Sequence, residues 1–314
     1  MGQIAVINQS KRFRKKKIKQ GSTLVSFFIY LVIGVISVIT LFPFIYVISA
    51  SISEPNAVAA GRVWFLPIGF SLLSYQRVFT SSTIFRAFLN SVFFTSVITI
   101  LNVGNAMLAG YALNKRGLVF RKFIILYILI PMYFSGGLIP SFINMTNLKL
   151  YNTIFAIILP SIISIWNIIL ARTYIRGLPE SLKEAAIIDG ASEIKVFTTI
   201  IIPLSKPMLA VLSLYTALGA WNAWFNYMIF MPKLVDWHPL QMFLTKVLIW
   251  GNAASMLQMQ ELDPQLMYQK LLMAAVGAQL KYTVMVVATV PIILVYPFVQ
   301  KYFIKGALLG SLKE

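Results

Sequence analysis

The fold class this sequence predicts is an all-α membrane protein: six transmembrane helices, with a charged helix–turn–helix loop between the fourth and fifth. Three observations predict it. The 314 residues are 59% hydrophobic with a mean hydropathy of +0.80, far too apolar for a water-soluble domain. Charged residues make up only 11% and cluster between uncharged stretches, several of them at or beyond the ~20 residues that cross a bilayer. The charges are also lopsided. Of the 27 Lys and Arg, 19 fall on the side of the predicted bundle that holds the N-terminus and eight on the other. That excess predicts a cytoplasmic N-terminal side and, with six spans, a cytoplasmic C-terminus too.

The elements follow in chain order. Residues 1–21 form a basic tail, with the run Lys11 to Lys19 reading as a topology-setting flank that touches anionic lipid rather than nucleic acid. Residues 22–314 form the transmembrane domain. Its spans are expected at about 24–50, 87–113, 123–146, 152–171, 207–231 and 282–300. Two long external segments, 51–85 and 233–280, suit contact with an extracytoplasmic partner or simple capping of the bundle. Within the second, the uncharged run 247–260 reads as an external or re-entrant helix. The third span is broken by Pro131-Met-Tyr133-Phe-Ser-Gly136-Gly137-Leu-Ile-Pro140. Backbone groups freed there must be satisfied by protein or by a water-filled route, so Tyr133 lines a path or sits at a packed kink.

The loop at 172–206 carries strong local signals. Pro179 suits a first helical position and Glu180 the first turn, where negative charge is favoured. Gly190 after Asp189 suits a left-handed C-terminal cap, which makes the first helix about 11 residues, roughly 16 Å long. Ser192 can cap a second short helix, and Pro203 ends it or starts the next span. Ala185 and Ala186 are small enough for close approach by a partner, and Glu184 and Asp189 can receive its basic groups.

Glu184-Ala185-Ala186, then Gly190, then Ile200, Ile202 and Pro203 resemble the EAA loop of ABC-importer permeases, with Ile202 in place of Leu as the one departure. In that family the loop is a helix–turn–helix that docks in a groove of a cytoplasmic ATPase subunit. The likeness extends over roughly Ser22 to the end and is greatest to the second permease of carbohydrate-uptake importers, in the branch serving complex oligosaccharides. It rests there on Pro131 to Pro140, Trp166-Asn167, Pro203 to Pro207, Trp221 to Phe225 and the tail Phe303 to Ser311. The resemblance implies a second permease subunit, two ATPase subunits carrying ATP and Mg, an extracytoplasmic solute-binding lipoprotein, and residence in a bacterial cytoplasmic membrane. It also implies that the segment from Trp250 to Gln265, with Gly251, Asn252, Ala254 and Gln258, meets the binding protein.

Other chemistry finds little support. No Gly-Lys dipeptide occurs, so the chain holds no phosphate-binding loop of the G-x-x-x-x-G-K-[ST] type, and hydrolysis is expected on a partner. With no cysteine and only His238, a Cys or His metal cluster is not expected. The predicted spans are free of Asp, Glu, Lys, Arg and His, which argues against an intramembrane enzyme. What they do contain is Trp166-Asn167 and Trp221-Asn222-Ala-Trp224-Phe-Asn226, with Asn222 and Asn226 expected on one helix face. Stacking faces beside neutral amides suit sugars; the alternative is an aromatic belt with interhelical hydrogen bonds. The expected cargo is an oligosaccharide, with or without uronate groups. A peptide or amino-acid importer, and more remotely a channel, are the competing readings.

Overall fold

In lipid every backbone polar group must find its partner inside the protein, and for single segments this dictates helix. The computed structural model describes residues 23–250 and 275–297, which are predominantly helical. Four helical stretches are long and apolar enough to cross a membrane: Val25–Ser51, Ser82–Ala112, Phe155–Arg176 and Ala275–Pro297. Two pairs bent by 112° and 80° raise the number to as many as six if each counts as one span.

The helices run in order as α1 (Thr23–Ser51), α2 (Pro55–Ala59), α3 (Leu73–Thr80), α4 (Ser82–Ala112), α5 (Arg121–Tyr133) and α6 (Leu138–Asn147). Then come α7 (Phe155–Ile162), α8 (Ile165–Arg176), α9 (Glu180–Ile188), α10 (Glu193–Val196), α11 (Ile202–Leu204) and α12 (Lys206–Asn222). The described chain closes with α13 (Phe225–Phe230), α14 (Leu240–Thr245) and α15 (Ala275–Pro297). The α5–α6 bend of 112° falls at residues 134–137, inside the proline and glycine run that the sequence marks as a break.

Helix ends depart from the expected spans for a common reason. Spans counted between charged residues start too late, because α4 and α15 each carry a basic residue near the start, Arg86 and Lys281. Long basic side chains can extend from a helix end towards water. Ser81 caps α4 by accepting from Ile84 N, and Lys281 rests 5.0 Å from the Tyr282 ring centre. The spans are therefore not wholly free of ionisable groups, which sit at their ends.

α4 is the pillar of the bundle. Phe94, Asn102, Ala106 and Met107 on it are buried, with α8, α12 and α7 packed around it. Gly110 sets how closely α4 and α8 approach: a Cβ there would lie 2.8 Å from Arg172 N and 3.0 Å from Ala171 Cβ. Gly110→Ala gains about 1 kcal/mol in helix propensity. It collides, however, with backbone atoms that cannot move aside, and overpacking of this kind costs about 1–3 kcal/mol. The expected net result is a lowered thermal midpoint of the purified complex; an unchanged midpoint would mean that the two helices can separate at this point. By contrast, α1 is almost uncovered. Its side chains are exposed or half-buried until Ser49, Ala50 and Ser51, which are buried, and α5 and α6 bury no residue.

Candidate functional site

Two regions carry the sequence-predicted residues. The first is the loop after α8. Pro179 is the residue before α9 rather than its first member, with ψ at 123°, so α9 has nine residues instead of about 11. Gly190 takes φ 78°, a left-handed geometry that suits glycine, and Ala191 N then closes back on Ala186 O at 2.9 Å. Ser192 caps α10 by accepting from Lys195 N at 3.4 Å. A wide helical turn over Phe197–Ile201 carries the chain into α11. Val196 and Ile201 are fully buried in a cluster with Ile175, Met107 and Leu212, which fastens the loop to the bundle. The other face stays apolar and uncovered: Leu182, Ile187, Ile188 and Ile194 are all exposed, Ile188 to 84%. A monomer has little reason to display such a patch unless something covers it.

Ion pairs brace the same loop from the α4–α5 connection. Arg116 bridges Glu180 and Glu184, the latter at 2.9 Å, and Lys115 pairs with Glu193 at 2.9 Å. Lys115 first, then the Tyr111 hydroxyl donating at 2.7 Å, hold the Glu193 carboxyl below its usual range. Among the described residues the partner of Glu184 is thus Arg116. Ala185, Asp189, Gly190 and Pro203 are exposed and Ala186 is half-buried.

The second region is a cavity of about 300 Å³ between α4, α7, α8, α12 and α13. Its polar wall is built by a helix break that the local sequence does not announce. Ile163 is extended at φ −104° and ψ 114°, and Ser164 restarts the helix by accepting from Asn167 N. The carbonyls released at the break are taken by α4: Asn102 Nδ2 donates to Ser161 O at 2.7 Å and Asn105 Nδ2 to Ile162 O at 3.4 Å. Asn167 Nδ2 donates to Asn102 Oδ1 at 2.7 Å and to Thr216 Oγ1 at 3.0 Å. Tyr227 and Asn226 complete the wall. Tyr227 is fully buried, and its hydroxyl has no hydrogen-bond partner among the described residues.

Of the predicted path residues, the cavity gathers Asn167 and Asn226 only. Trp166 is 57% exposed and Tyr133 76% exposed, and neither lines it. The expected shared helix face of Asn222 and Asn226 does not exist. α12 ends at Asn222, Ala223 is extended, and a new helix starts at Phe225. Asn222 instead accepts from Gln241 Nε2 at 3.2 Å, and Trp224 stacks edge-on against Phe225 at 5.7 Å. Asn102 and Thr216 were missed. Their only sequence signal is a lone amide or hydroxyl inside an apolar run. Gly251, Asn252, Ala254 and Gln258 lie outside the described residues.

A family profile described as "Binding-protein-dependent transport system inner membrane component" matches residues 102–308. The chain is 35% identical over 279 residues to the polygalacturonan/rhamnogalacturonan transport system permease protein YtcP of Bacillus subtilis (strain 168), covering 88% of this chain and 94% of that protein. It is 36% identical over 285 residues to the protein LplC of the same organism, covering 90% and 92%. Among solved structures, a bacterial ABC transporter involved in the import of the acidic polysaccharide alginate contains a chain 30% identical to this one. The TM-score is 0.80, over 89% of this chain and 96% of that one.

Proposed function

The chain belongs to the family of binding-protein-dependent transport system inner membrane components, and from that premise we propose that it carries an acidic oligosaccharide across the membrane. It is a permease subunit of an ABC importer, a transport component rather than an enzyme. The observation that carries the cargo is the likeness, over most of the chain, to a permease named for polygalacturonan and rhamnogalacturonan and to a structure from an alginate importer.

The finer reading extends this. Six spans are reached by counting α5 with α6 as one and α12, beyond its 80° bend from Glu193–Leu204, as another, beside α1, α4, Phe155–Arg176 and α15. The 19-to-8 distribution of Lys and Arg supports cytoplasmic termini and a cytoplasmic 172–206 loop. The basic charges of residues 1–21 then fall on the cytoplasmic side. The exposed apolar face of α9 and α10 is the surface offered to an ATPase subunit, which binds ATP and Mg. A second permease completes the pore, and an extracytoplasmic binding protein delivers the sugar. ATP-driven closure of the ATPases moves the docked loop and, through Val196 and Ile201, the helices behind it. The mid-bundle cavity is this subunit's share of the sugar path, with Asn226 as its exposed hydrogen-bonding group and Tyr227 buried in the wall behind it.

Uptake by the complete importer with its binding protein tests the cargo. Labelled trigalacturonate is expected to enter at least tenfold faster than maltotriose. Equal uptake of the two would remove the acidic preference; uptake of neither, with a peptide accepted, would remove the carbohydrate reading.

A further inference from the structure

At the end of the bundle opposite α9 and α10, the start of α4 and the segment 235–246 enclose a pocket of about 150 Å³. That is space for roughly five water molecules at about 30 Å³ each. Ser82 and Thr83 open α4 on one wall, and Arg86 follows one turn later. Asp236, His238 and Lys246 face them.

The far wall is rigidly placed. Asn90 Nδ2 on α4 donates to Asp236 O at 2.7 Å and to His238 O at 3.2 Å, and Leu240 N donates to Ser91 Oγ at 2.8 Å. His238 is only 6% exposed. Its Nδ1 lies 3.2 Å from Lys246 Nζ and its Nε2 3.0 Å from Met231 O. An ammonium only donates, so Nδ1 accepts, and the ring proton sits on Nε2, donating to the Met231 carbonyl. Burial, then the Lys246 charge, push the His238 pKa below its ordinary value against the opposing pull of the Met231 bond, which keeps the ring neutral. The histidine therefore aims the lysine without adding charge.

Among the described residues, the charges lining the pocket are Arg86, Lys246 and Asp236. Arg86 Nη1 holds Asp236 Oδ1 at 2.7 Å, so one positive charge among these three is left over. Lys246 keeps two N–H donors, Arg86 keeps four, and the α4 N-terminus adds partial positive charge and two hydroxyls. A group that balances this has a single negative charge and several acceptor lone pairs. The carboxylate of a uronate ring has both, and the Val235 and Phe243 side chains on the same walls suit the C–H face of such a ring. A phosphate dianion would leave one charge uncompensated.

We propose that this pocket is a subsite for the carboxylate of a uronate residue, bound chiefly by Lys246, with Arg86 and the first turn of α4 completing it and His238 as a positioning residue. The proposal rests on the acidic-oligosaccharide reading above. It adds that charge selection is built into this subunit's own outer end.

The test is uptake of trigalacturonate by the complete importer in proteoliposomes with its binding protein. Lys246→Gln is expected to raise the apparent KM at least fivefold with kcat within twofold of wild type, whereas Lys246→Arg stays within twofold in both. Arg86→Gln, at an exposed position that folding tolerates, gives an independent reading with a KM at least threefold higher, and thermal midpoints report folding. An unchanged KM in Lys246→Gln, or in Arg86→Gln should the lysine variant fail to assemble, overturns the proposal. So does a Lys246→Arg variant as defective as Lys246→Gln, since the lysine would then serve only its bond to His238. A wild-type importer that takes up maltotriose and no trigalacturonate fails differently: it removes the acidic cargo itself.

Discussion

Glu184→Lys is expected to lower ATP-driven uptake at least tenfold while the protein still reaches the membrane at its normal level. The stability cost is small. The Arg116–Glu184 pair is exposed, with 73% and 56% of the two side chains accessible, and surface pairs of this kind contribute about 0–1 kcal/mol. What anchors the loop is the buried packing of Val196 and Ile201, which the substitution leaves alone. The functional cost is large because a lysine at 184 sits beside Lys183 and turns an ion pair with Arg116 into repulsion, on the surface offered to the ATPase. The measurement is uptake and ATPase activity in the same vesicles, with membrane abundance as control. Transport at the wild-type rate would sink the assignment of the loop. Arg116→Gln, which removes the brace to Glu180 and Glu184 and leaves Glu184 in place, separates the two roles of Glu184. Uptake near the wild-type rate in Arg116→Gln points to the partner, and a loss as large as that of Glu184→Lys would make the brace within the chain the important interaction.

The second large effect is expected inside the bundle. Three hydrogen bonds end on Asn102: one to Ser161 O, one from Asn167 and one from Thr216. Asn102→Leu leaves the carbonyl at the α7–α8 break without its donor. Unsatisfied buried groups cost about 1–3 kcal/mol, against an average near 0.6 kcal/mol for single polar interactions between membrane helices. Because the substitution breaks all of these bonds together, about 2 kcal/mol is expected, a fall of about 4–8 °C in thermal midpoint. Asn226→Leu should behave in the opposite way: its side chain is exposed at the cavity wall, so the midpoint holds and uptake falls at least threefold. An unchanged midpoint for Asn102→Leu would remove the bracing role of the amides. Unchanged uptake for Asn226→Leu would take the cavity off the sugar path.

What the sequence makes legible here is what neighbouring residues decide among themselves. Gly190 and Ser192 announce a turn and a cap because both depend on atoms within four residues. The bend at residues 134–137 is legible because prolines and glycines act locally. The mid-bundle site is not legible in this way. The interruption at Ile163 sits in an apolar run whose one strong breaker, Pro160, lies inside α7. Its carbonyls are satisfied by Asn102 and Asn105, some 60 residues earlier. Asn222 and Asn226 read as one face only if the helix continues, and the extended backbone at Ala223 ends it. The outer pocket likewise joins Arg86 to Asp236 across 150 residues, which no spacing rule can see.

The way α1 is attached has a consequence for biosynthesis. Among the described residues, the hydrogen bonds that bind it to another spanning helix come from α15. Gln279 Nε2 donates to Ser51 O at 3.0 Å, Thr283 donates to the same carbonyl, and Tyr46 meets Tyr282 at 3.2 Å, with 228 to 236 residues between partners. Among the described residues, α1 thus meets a spanning partner only once α15, more than 220 residues later, has been made. Until then only its end is tied, by Ser49 to Phe65 O and by Ser51 to the Tyr75 hydroxyl, and the rest is held by its own partition into lipid or by insertion machinery that shelters a helix without neighbours.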